Sequence, residues 1–111
     1  MKQEQFKDVF DQTIKEIEQL LIVKGGEYAG SEDRLANFKR GAQRVGALPD
    51  QVLWIYLSKH LDSIETYIKD KVAGTSRPRS EPITGRIDDA INYLILYKAM
   101  VIESEGAQRG A

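Results

Sequence analysis

The sequence predicts an all-α protein, an antiparallel bundle of about four helices joined by short connections. Three observations carry that prediction. Apolar residues recur at three- and four-residue spacing through most of the chain, the signature of helices with one buried face. Glycine and proline fall between these periodic stretches rather than inside them, where they end helices. No stretch of useful length alternates apolar and polar residues as a half-buried strand would, and no internal repeat is visible.

The first helix is predicted from Gln3 to Lys24, with Phe6, Phe10, Thr13, Ile17, Leu20 and Leu21 on one face and Val9 and Ile14 flanking it. Gly25-Gly26 ends it with residues that tolerate a left-handed cap. After the loop Glu27-Tyr28-Ala29-Gly30, Ser31 is placed to cap a short second helix with Leu35, Phe38, Ala42 and Val45 on its face. Pro49 or Asp50 opens the third helix, whose apolar side is Leu53, Leu57, Leu61, Ile64 and Ile68. Residues 73–80, Ala-Gly-Thr-Ser-Arg-Pro-Arg-Ser, read as a flexible linker. The fourth helix is expected to start between Glu81 and Arg86 and to end near Glu103. Residues 1–104 thus read as one helical domain and 105–111 as a disordered tail.

Composition bounds the function. A chain of 111 residues supports one domain with a modest core. It has no cysteine, so neither disulfides nor thiolate metal sites arise, in keeping with a reducing compartment. Met1-Lys2-Gln3 runs directly into the amphipathic pattern without a secretory signal, and no apolar run approaches a membrane span. A formal net charge of −1 argues against a nucleic-acid surface. The expected setting is cytoplasmic.

From Ala90 to Ile102 the fourth helix is apolar around its whole circumference. Such a helix is surrounded by protein or lipid, and three small amphipathic partners hardly cover it. A homo-oligomer, most simply a dimer, is therefore expected. Against that background Asp88, Asp89 and Asn92 stand out at its head, because charge in an apolar setting must be paired, metal-bound or neutralised. On the third helix Asp62 and Glu65, at i and i+3, share a face with Ser58 and Lys69. Were the two helices side by side, Asp62, Glu65, Asp88 and Asp89 would converge as oxygen ligands for Mg²⁺. The plainer alternatives are a solvated face for Asp62 and Glu65, and dipole-favoured first-turn acids for Asp88 and Asp89. His60 flanks the apolar face of the third helix without a second histidine at metal spacing. Arg77 and Arg79 suit either a basic lid over phosphates or a solubilising loop.

Three segments carry a family resemblance: Gly26-Glu27-Tyr28-Ala29-Gly30 leading into Asp33-Arg34-Leu35-Ala36-Asn37-Phe38, then Lys59-His60-Leu61-Asp62-Ser63-Ile64, then Glu81-Pro82-Ile83-Thr84-Gly85-Arg86-Ile87-Asp88-Asp89-Ala90-Ile91-Asn92-Tyr93. Together they resemble small phage and prophage proteins of unassigned function, and are similar to domains associated with phage nucleotide modification. Those look like relatives of the all-α MazG-type nucleoside triphosphate pyrophosphohydrolases. The resemblance implies an Mg²⁺-dependent enzyme with Asp89 at the aspartate of the second acidic element. Arg86 stands where that element has its other acid, and Lys59-His60-Leu61-Asp62 occupies the place of the first.

Two expectations follow. In one, Asp62, Glu65, Asp88 and Asp89 hold Mg²⁺, Asp62 and Asp89 serve catalysis, and Lys59 or Arg86 meets the phosphates of a nucleoside triphosphate. In the other, a non-catalytic oligomer binds or sequesters a nucleotide, another phosphorylated small molecule or a host-defence partner in the host cytoplasm. There Lys59, His60, Arg86, Asn92, Asn37 and Tyr28 read the ligand.

Overall fold

Among the described residues the structure has four α-helices and one π-helical segment, and no strand. It is a computed structural model describing residues 1–26 and 33–109. The helices are α1 (Gln3–Glu18), continued by the π-helical Gln19–Lys24, then α2 (Ala36–Val45), α3 (Pro49–Ala73) and α4 (Ile83–Arg109). The all-α class holds. The chain divides into two units, Met1–Arg34 and Leu35–Ala111.

The first unit is α1 and its π-helical extension. Ile17 is buried, whereas Phe6, Val9, Phe10 and Ile14 keep about half their surface open. Arg34 donates from Nη1 to the carbonyl of Leu21 at 2.6 Å, returning the chain onto the π-helical turn. The residues predicted to form the loop and cap at Tyr28 and Ser31 lie outside those described.

The second unit is an antiparallel hairpin of α3 and α4 with α2 laid against it. Pro49 occupies the first turn of α3, where a missing N–H costs nothing. The Leu48 N–H is taken up by Gln51 Oε1 at 2.9 Å. Gly74, at φ 70°, ends the helix in the left-handed conformation that side chains with a Cβ resist. Gly46, at φ 68°, does the same for α2. The antiparallel direction shows in the cross-links. The Tyr97 hydroxyl donates to Asp50 Oδ2 at 3.0 Å near the start of α3, while His60 further along α3 faces Asp89 near the start of α4. Lys39 of α2 meets Glu103 of α4 at 2.6 Å.

The core comprises Leu35, Phe38, Leu53 and Met100, with Val52, Tyr93, Leu96 and Tyr97 packed around it. Leu53 and Leu57 are the most deeply buried side chains. Three apolar expectations are corrected. Val45 lies open at the end of α2, and Leu61 and Ile68 are exposed on α3. The reason is length: α2 has 10 residues against the 25 of α3, so it covers only part of that helix. Nor is α4 buried all round. Ala90, Asn92 and Met100 are buried, but Ile87, Leu94, Ile95 and Ile102 face outward, because within this unit only one side of α4 is covered. The helix also runs past its predicted end near Glu103 to Arg109.

Candidate functional site

The hairpin brings one turn of α3, with Tyr56, Lys59 and His60, against one turn of α4, with Asp89, Asn92 and Tyr93. Residues four apart lie on one helix face, so Tyr56 and His60 form one edge and Asp89 and Tyr93 the other. Tyr56 and Tyr93 stack at 6.2 Å with an interplanar angle of 11°. His60 stacks on Tyr93 at 5.4 Å and 28°. Phe38 of α2 meets both tyrosines edge-on, at 6.1 and 6.5 Å. These are favourable offset and edge geometries. Lys59 Nζ lies 5.6 Å from the Tyr56 ring centre, a cation–π contact at the solvent side. Tyr56 is 42% exposed, so the aromatic shelf opens outward through it.

The polar groups are less well served. His60 Nδ1 stands 3.6 Å from Asp89 Oδ2, too long for a hydrogen bond. His60 Nδ1 and both amide atoms of Asn92 are buried without a hydrogen-bond partner among the described residues. Asn92 is 4% exposed. Buried polar atoms are paired in the great majority of native structures, so these atoms stand apart from the rest of the described side chains. Burial raises the Tyr93 phenol above its ordinary pKa, reinforced by the negative charge of Asp89 and then by Tyr56.

The other predicted residues fall elsewhere. Asp62 and Glu65 sit on the exposed side of α3. There the hydrogen bond and charge of Lys69, 2.8 Å away, hold the Glu65 carboxyl below its ordinary pKa and raise Lys69 in return. Asp88 is half-buried and engaged in an interaction of its own. The Asp89 side chain is 34% exposed, so it is a rim acid and not the deeply buried one the apolar surroundings suggested; Asn92 takes that place. Asn37 accepts a 2.6 Å bond from Arg40 Nη2. Arg86 pairs with Glu81 at 3.5 Å. Tyr28 lies outside the described residues. Among those described, no three His, Asp or Glu side chains gather as a metal ion requires. The oxygen ligands that Mg²⁺ takes are therefore not assembled by the described acids.

Sequence reasoning missed the aromatic shelf. Its signal was present: Tyr56-x-x-x-His60 and Asp89-x-x-x-Tyr93 place an aromatic ring one turn from a titratable group on both helices. It also missed Asp70, a buried carboxylate at the end of α3. Arg77 donates to it from Nε at 2.9 Å and Nη2 at 3.1 Å, and Arg79 from Nη2 at 3.1 Å. Arg79 also lies 4.8 Å over the Tyr67 ring. A separate apolar groove of about 690 Å³ is lined by Trp54, Ile55, Leu57 and Leu94, with Asp50 and Tyr97 at its polar edge.

The chain matches no family model, no curated protein and no solved structure.

Proposed function

We propose that this chain is a nucleotide-binding protein that needs no metal, with the aromatic shelf of Tyr56, Tyr93 and His60 as the platform for the base. The observation that carries this reading is the shelf itself: Tyr93 stacks with both Tyr56 and His60, and Tyr56 is open to solvent. A base supplies a π-face for Tyr56; base–aromatic stacking is worth roughly 1–3 kcal/mol per base. Lys59 places a positive charge at the solvent side of the shelf, on the route an anionic ligand would take. The resemblance to phage nucleotide-associated proteins points the same way. Host cytoplasm, with sequestration of a nucleotide as the role, is the setting that fits it.

Equilibrium binding in EDTA tests this. Calorimetric titration with a panel of nucleosides and nucleotides should give saturable binding to the intact chain, and Tyr56→Ala should weaken it at least tenfold. Absence of binding by every member overturns the proposal. Repeating the panel with Mg²⁺ while assaying pyrophosphate release reads the alternative, pyrophosphohydrolase activity, which rests on the resemblance at Asp89.

We further propose that the second unit self-associates. Trp54 and Ile55 on α3 and Leu94 and Ile95 on α4 leave apolar surface open on both helices of one hairpin. Contiguous exposed patches of this kind mark interfaces, and a patch shared by identical chains closes most simply as a two-fold dimer.

A further inference from the structure

A second cavity, this one polar, lies where the linker returns to α4. It measures about 180 Å³ and is lined by Arg77, Arg79, Arg86, Ser63, Ser80 and Glu81. We infer that this cavity binds a phosphoryl or diphosphate group, a proposal that extends the nucleotide reading above by giving the phosphates their own pocket.

Three guanidinium groups on so small a space repel one another, and the fold has arranged to hold them there. Asp70, whose side chain is 11% exposed, bridges Arg77 and Arg79 through three hydrogen bonds. The Tyr67 ring supports Arg79 from its face. Each guanidinium has five N–H donors in a rigid fork, and Asp70 engages two from Arg77 and one from Arg79. Both groups are thus fixed in position with donors to spare. Arg86 is 31% exposed, and its ion pair with Glu81 at 3.5 Å is too long for a hydrogen bond. Glu81 is itself 54% exposed and can swing away. Counting formal charges, the three arginines outweigh Asp70 and Glu81 by one. Ser63 and Ser80 add hydroxyl donors at the wall, and the cavity abuts the first turns of α4, the positive end of that helix. Arginine forks recognise phosphate oxygens two at a time.

Size narrows the ligand. At about 180 Å³ the cavity has room for one or two phosphoryl groups beside the arginines. Its position suits the shelf. Ser63 follows His60 by three residues on α3 and Arg86 precedes Asp89 by three on α4, each a rise of about 4.5 Å. A ligand with its base on Tyr56 and its phosphates among the arginines would lie along the hairpin.

The probes are inorganic pyrophosphate and, separately, nucleosides lacking phosphate, each titrated into the intact chain in EDTA by calorimetry. Pyrophosphate should bind saturably, and more weakly as ionic strength rises. Arg86→Gln, which leaves the Asp70 clamp untouched, should weaken it at least tenfold with an unchanged far-ultraviolet spectrum. Glu81→Gln, which removes the competing carboxylate, should tighten it severalfold. No pyrophosphate binding, or equal binding by a folded Arg86→Gln, overturns the cavity as an anion site. Nucleoside binding without pyrophosphate binding refutes the cavity while leaving the aromatic shelf. Pyrophosphate binding without nucleosides does the reverse, and marks the natural ligand as a free phosphate or diphosphate.

Discussion

Replacing Asn92 with leucine should make this protein more stable. Asn92 is 4% exposed and both its amide atoms lack partners. Burying such an amide costs roughly 1–3 kcal/mol by protein mutational data. Leucine matches the branching of asparagine atom for atom, so the shape is kept while the polar cost is removed. Better helix propensity adds up to about 0.5 kcal/mol on its own, and imperfect fit of two methyl groups takes back as much as about 1 kcal/mol. The net expectation is a gain of about 1–2 kcal/mol. For a domain of this size each kcal/mol moves Tm by roughly 4–8 °C, so thermal unfolding followed by circular dichroism should rise by about 5–10 °C. A gain below about 0.5 kcal/mol is accounted for by propensity alone and refutes the premise that the amide is unsatisfied. A fall in Tm refutes it outright.

Four further outcomes follow from the structure. Asp70→Ala removes the carboxylate bridging two arginines; truncating one partner of a buried pair costs about 3–5 kcal/mol, and because Arg77 is over half exposed and rehydrates, a loss near 2 kcal/mol is expected in urea unfolding. Leu53→Ala, at 1% exposure in the core, should cost about 2–5 kcal/mol in the same assay. Tyr93 and Tyr97 ionise above the ordinary phenol value, the first through burial and Asp89 and the second through the bond it donates to Asp50. The folded state therefore holds those protons longer than the unfolded chain, so their stabilisation is complete below about pH 10 and falls as pH rises beyond it; ultraviolet titration should show late tyrosines, and Asp89→Asn should bring Tyr93 down. Trp54→Glu should shift light-scattering mass from a dimer to a monomer, and a wild-type monomer at high micromolar concentration would remove the self-association proposal.

The helical class and the site diverge in how far they could be read from the chain. Periodicity marked the helices because their boundaries rest on local chemistry: Pro49 opening α3 and Gly46 closing α2 act within one turn of themselves. The same local character made His60, Asp89 and Asn92 visible as polar residues against apolar surroundings. Which of them meet was another matter. Asp62 and Asp89 were expected to converge, yet it is His60 that faces Asp89, because a helix turns by 100° per residue and two positions along α3 separate their directions by about 200°. No spacing rule gives the rotation of one helix against another. That depends on how side chains such as Phe38, Leu53 and Met100 interdigitate.

By itself, then, the sequence determined an all-α chain, the approximate limits of its helices and the polar residues that need explaining, since these follow from propensity, capping and burial pattern. Only the tertiary structure decided that Tyr56 and Tyr93 stack into a shelf, that Asp70 gathers Arg77 and Arg79 beside Arg86, and that Asn92 lacks a partner. Those facts depend on contacts between segments distant in the chain, whose geometry is set by packing and not by any single residue's preference.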